Sequence, residues 1–84
     1  MKKFNTFTVH GTAVGSENSM RLDEISILAD PETIRALGAF LIRAADEMAV
    51  EGVEHVHIQD LVENFSHEDH VDVIVLNGDL IKIA

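Results

Sequence analysis

From Thr6 to Ala13 apolar and polar residues alternate. Phe7, Val9, Gly11 and Ala13 fall on one face, and Thr6, Thr8, His10 and Thr12 on the other. That period of two predicts a half-buried strand. The turn-forming cluster GSENS (15–19) follows, and MRLDEISILA (20–29) predicts a second strand. Its alternation changes phase between Leu22 and Ile25, as a bulge or bend near Asp23 would produce. The period then shifts to that of a helix. Asp30 can cap the free amides of a first turn, Pro31 suits the first helical position, and Glu32 places negative charge at the positive end of the dipole. At about 100° per residue, Ile34, Leu37, Gly38, Leu41, Ile42, Ala44, Ala45, Met48 and Ala49 share one side. Arg35, Arg43, Asp46 and Glu47 lie opposite, and Gly52 is the expected stop.

Beyond Gly52 the pattern returns to strands. VEHVHIQ (53–59) and VDVIVLN (71–77) predict a third and a fourth. Asn77-Gly78 is a type I′ hairpin signal leading into DLIKIA (79–84) as a fifth. The expected fold is α+β with two layers and the order ββαβββ. One long helix packs on a mixed, mostly antiparallel sheet, all within a single domain over residues 1–84. If the second and third strands run parallel, the helical crossover between them should be right-handed. One helix covers only part of a five-stranded sheet. The rest must be polar, buried in an oligomer, or covered by a partner.

Composition narrows the function. The hydrophobic fraction of 46% is that of a globular chain, and cysteine is absent, which removes disulfides, thiolate zinc sites and a cysteine nucleophile. The start, MKKFNTFTVHG, alternates instead of building the apolar run of a secretory signal. No stretch approaches the ~20 apolar residues of a membrane span. A soluble, cytoplasmic protein is expected.

Charge changes the picture more. Fifteen acids against six bases give −9, and the imbalance is one-sided. Residues 1–43 balance five acids with five bases, whereas residues 44–84 hold ten acids and only Lys82. A field of this sign repels nucleic acid and anionic lipid and attracts basic partners. It also serves simply to keep a small protein soluble.

The segment HVHIQDLVENFSHEDH (55–70) concentrates the candidate chemistry. It carries four of the five histidines and no lysine or arginine. On a strand, His55 and His57 would project from one face about 7 Å apart. With His67, His70 and a carboxylate from the following loop they would make a possible metal set. His-x-His is a short pattern that often arises by chance, however, and a solvated or partner-facing polar surface is the stronger reading. No nucleophile, base and oxyanion donor are arranged by any motif, no phosphate loop or dinucleotide fingerprint is present, and one helix leaves little room for a substrate cleft. An enzyme is not expected, and no cofactor is implied.

The run ISILADPETIRALGAFLIRAADEM, followed by HVHIQD and DVIVLN, resembles a family of small bacterial immunity proteins of polymorphic toxin systems, family thirty-two. The similarity covers roughly residues 25–76 and lies in the layout: a strand into an acidic turn, a helix, a histidine-containing strand and a closing hairpin. It implies an α+β protein that binds and blocks a toxin, with no catalytic residues to carry over. The residues themselves suggest where a basic protein partner would dock: Glu54, Asp60, Glu63, Glu68 and Asp69, with Phe65 as an apolar anchor or as a plug on the core. Alternatives are a metal protein built on His55, His57, His67 and His70, and a small structural homodimer using the uncovered face and the apolar LIKIA edge.

Overall fold

A computed structural model describes residues 3–82. The chain is α+β. An antiparallel ribbon, β1 (Val9–Thr12) and β2 (Ser19–Leu22), precedes a 21-residue helix α1 (Pro31–Glu51). Then come β3 (His55–His57), a 3₁₀ turn (Ile58–Asp60) and β4 (Ile74–Leu76), which pairs antiparallel with β3.

The helix begins and ends where its capping residues dictate. Asp30 accepts a hydrogen bond from the Thr33 backbone N–H at 2.8 Å, and Pro31 opens the first turn. Hydrogen bonding by the Thr33 side chain, and then by its backbone N–H, holds the Asp30 carboxyl below the usual carboxylate range. At the other end Gly52 takes φ 66°, a left-handed conformation that favours glycine, and donates its N–H to the Met48 carbonyl at 3.1 Å.

The core is small. Phe40, Ala44, Val56 and Ile58 are buried, and Leu37, Val53, Val62, Phe65, Val73 and Val75 pack around them. All ten lie between residues 37 and 75. Phe40, absent from the apolar side projected above, is the largest buried side chain of the helix, whereas Ile34, Leu41, Ile42, Ala45 and Ala49 stay exposed. The reason is width. A helix about 10 Å across covers roughly two strands spaced about 4.8 Å apart. The ribbon β3–β4 fills that footprint with Val56 and Val75, so only part of the helix's apolar arc can be buried.

The same limit divides the strands into two ribbons in place of one five-stranded sheet. Since β2 and β3 do not share a sheet, the crossover rule has nothing to act on. Strand β2 stops at a bend at Asp23, the point of the phase change, and residues 24–30 have no regular structure. Within β1–β2, Leu22 folds over Gly11 so closely that a Cβ there would lie 2.9 Å from Leu22 Cδ1.

Residues 77–82 also depart from the expected hairpin. Type I′ needs positive φ at both central residues, and neither Asn77 nor Gly78 has it. Instead Asn77 is buried and pinned. Its Nδ2 donates to the Val53 carbonyl at 3.1 Å, its backbone N–H donates to the Glu54 carbonyl at 2.8 Å, and its Oδ1 accepts from the Asp79 N–H at 3.0 Å. Its carbonyl accepts from Leu80 and Ile81, which coils the chain into a helical turn instead of a returning strand. The end of the expected fifth strand, residues 83–84, lies outside the described residues.

Candidate partner-binding surface

The ribbon β3–β4 has two unlike faces. Its register sets His55 opposite Leu76, Val56 opposite Val75, and His57 opposite Ile74. Val56 and Val75 pack toward the core. The alternation therefore puts His55, His57, Ile74 and Leu76 on the other side, where Ile74 and Leu76 remain 48% and 43% exposed. The two imidazoles meet edge to face at 5.2 Å. An open depression of about 230 Å³ is bordered by Glu47 of α1, His55, Val56, His57, Asp60 and Leu61.

One carboxylate organises the end of this ribbon. Asp72 Oδ2 lies 2.8 Å from His57 Nδ1, and Asp72 Oδ1 accepts the Gln59 backbone N–H at 3.1 Å. The fork holds the strand where it breaks into the 3₁₀ turn. Asp72 was not among the expected site residues. Extending the β3–β4 register by two positions sets Asp72 opposite Gln59 and diagonal to His57, so setting VHIQ (56–59) antiparallel to DVIV (72–75) would have revealed it.

The loop from Leu61 to His70 is built from consecutive turns around Ser66. The Ser66 carbonyl accepts from the Asp69 and His70 N–H groups at 3.2 and 2.8 Å, and its Oγ accepts from the Glu68 N–H at 3.2 Å. Its own N–H donates to His70 Nδ1 at 3.1 Å. A backbone N–H can only donate, so His70 Nδ1 is the unprotonated nitrogen in this arrangement. The loop thus holds its shape through its backbone and the Ser66 and His70 side chains, with Glu63, Glu68 and Asp69 exposed.

The expected contact residues divide accordingly. Glu54, Asp60, Glu63, Glu68 and Asp69 are all exposed, and among the described residues none pairs with a lysine or arginine. Phe65 is half-buried against the core cluster, and its ring packs on His67 at 5.0 Å and His70 at 5.7 Å. It therefore plugs the core and offers a partner only one edge. The four histidines do not converge: His55 and His57 stack on the ribbon, while His67 and His70 flank Phe65. Among the described residues no three His, Asp or Glu side chains are grouped as a metal ion requires. No helix among them is long and apolar enough to cross a membrane.

The scaffold is small and α+β, and it leaves an acidic loop exposed. Comparison with known families gives it a lineage: the profile described as Immunity protein 32 matches residues 24–78. The chain belongs to the Immunity protein 32 family. No curated protein and no solved structure matches it. The match spans α1, both strands of the second ribbon and every core residue, and it excludes β1 and β2.

Proposed function

We propose that this protein is a cytoplasmic toxin-neutralising immunity protein that acts by binding, without catalysis, and that the 54–70 segment docks on a basic toxin domain. The carrying observation is that Glu54, Asp60, Glu63, Glu68 and Asp69 stand exposed without cationic partners among the described residues, on a backbone braced by Ser66 and Asp72, inside the region shared with the family. Unpaired exposed carboxylates set up an attractive field for a basic surface. Such a field accelerates encounter and rejects acidic partners, while burial of the neighbouring apolar edges, Phe65 among them, supplies the lasting affinity. A bacterial toxin that must hold phosphates in its own site has the required positive charge.

The test is co-expression with the toxin domain encoded beside its gene. The wild-type chain should rescue growth and bind with an association rate that falls about tenfold or more between 20 and 200 mM salt. Reversing two charges, Glu63→Lys with Asp69→Lys, should slow association and weaken rescue while leaving the helical circular dichroism unchanged. Unchanged rescue and an unchanged salt slope in that double variant would remove this surface from the mechanism.

A further inference from the structure

We propose that two copies of this chain associate through the uncovered side of α1, antiparallel about a twofold axis near Leu41 and Ile42. The inference stands apart from the toxin reading and uses a different surface.

The first ground is area. A compact monomer of this mass exposes about 5,000 Å², but this chain exposes 7651 Å². The excess is roughly 2,600 Å², and a stable homodimer removes about 1,000–2,500 Å² from each copy. The radius of gyration, 13.6 Å, likewise exceeds the roughly 12 Å expected for a compact chain of this length.

The second ground is an uncovered apolar face on α1. On α1 the positions Leu41, Ile34, Ala45, Gly38, Ala49 and Ile42 follow one another around an arc of about 100° beside the core-facing stripe. Leu41 and Ile42 are 52% and 67% exposed, and among the described residues nothing lies within 4 Å of a Cβ built on Gly38. The arc holds no ionisable residue, so it gives a basic toxin nothing to pair with.

The third ground is charge, and it selects a second copy and its direction. An antiparallel twofold pairing brings Ile34 to Ala49, Gly38 to Ala45 and Leu41 to Ile42 of the other copy. It also lays the margin carrying Arg35 along the same margin of the second helix, within reach of that copy's Asp46. The pair forms twice by symmetry. Helices of 21 residues are about 31 Å long, so the acidic C-terminal ends of the two helices are far apart compared with the screening length of about 8 Å. A parallel pairing would crowd them together.

Sedimentation of the full chain at about 1–100 µM, a range in which interfaces of this size associate, should show a species of twice 9.3 kDa. Leu41→Asp with Ile42→Asp should convert it to monomer with its helical signal retained, since both positions are exposed in one copy. Arg35→Asp should weaken association about tenfold, and adding Asp46→Arg should restore it. As a check that tolerates folding defects, Ile42→Cys in this cysteine-free chain should cross-link on mild oxidation, and Val50→Cys, on the far margin, should not. A wild-type chain that stays monomeric overturns the proposal, as does a dimer that survives the double aspartate variant. Failure of the Arg35/Asp46 exchange to restore association overturns the antiparallel register. Loss of toxin binding by an aspartate variant of a monomeric wild type would assign the face to the toxin instead.

Discussion

Asn77 and Gly78 give opposite expectations under two readings of the same dipeptide, so substituting each in turn is decisive. In a type I′ turn Gly78 would need a left-handed conformation, and Ala there would cost about 1–2 kcal/mol. In the structure Gly78 has no positive φ, and among the described residues an added Cβ meets nothing within 4 Å. Gly78→Ala should then stabilise by about 0.4–1 kcal/mol through the unfolded chain. Asn77→Ala should do the reverse. It removes the bond to the Val53 carbonyl and the bond from the Asp79 N–H, at about 1 kcal/mol each. Asn77 is only 8% exposed, so water replaces these partners poorly. For a domain of this size each kcal/mol moves Tm by about 4–8 °C. The expected result is a rise of a few degrees for Gly78→Ala and a fall of roughly 10 °C for Asn77→Ala. Thermal unfolding followed by circular dichroism at one fixed protein concentration reads both. A marked fall for Gly78→Ala together with a tolerated Asn77→Ala would refute the pinned-turn geometry and restore the hairpin.

Four further substitutions probe the rest. Phe40→Ala should cost about 3–5 kcal/mol, a large share of the roughly 4–13 kcal/mol available to 84 residues, whereas the exposed Val50→Ala should stay within about 0.5 kcal/mol; equal effects in urea titrations would misplace the core. Asp30→Ala should lower Tm at neutral pH. The folded-state pKa of Asp30 is depressed, so its contribution is present above the ordinary value of 3.8 and disappears as pH falls through the lower folded one; a Tm difference from wild type that persisted into strong acid would contradict the cap. Asp72→Ala should release the Gln59 amide to faster hydrogen exchange and cost about 1–3 kcal/mol, and an unchanged Gln59 exchange rate would show that the fork does not hold that turn.

How much of this was legible from the chain follows from the range of each interaction. The helix bounds rest on Asp30, Pro31 and Gly52, which act within one turn, and they stand as expected. The outward pair His55 and His57 rests on strand alternation, which is equally local, and it stands too. The identity of the buried helical stripe depended on how wide a sheet α1 would meet, and that is a tertiary fact. A projection that weighed every apolar residue alike therefore took Ile42 and passed over Phe40. Asn77-Gly78 misled for a related reason. The dipeptide suits a tight hairpin in isolation, but the Val53 carbonyl offers the Asn77 amide a partner that no local pattern reveals. At the candidate surface, the five carboxylates were drawn from the one-sided charge of residues 44–84, and all five are exposed. The Ser66 hub and the Asp72 fork were not legible, since both depend on backbone groups brought together by the turns.

Between Val56 and Asp69 the residues that hold the protein together and those available to meet another molecule are interleaved almost one for one. Buried Val56 and Ile58, with Val62 and Phe65 behind them, carry the scaffold, while Asp60, Glu63, Glu68 and Asp69 project outward from a main chain that braces itself. Each outward position can therefore be exchanged at little cost to folding. Charge changes along this segment can thus be made on an unaltered scaffold, so whatever they do to binding is read separately from what they do to folding.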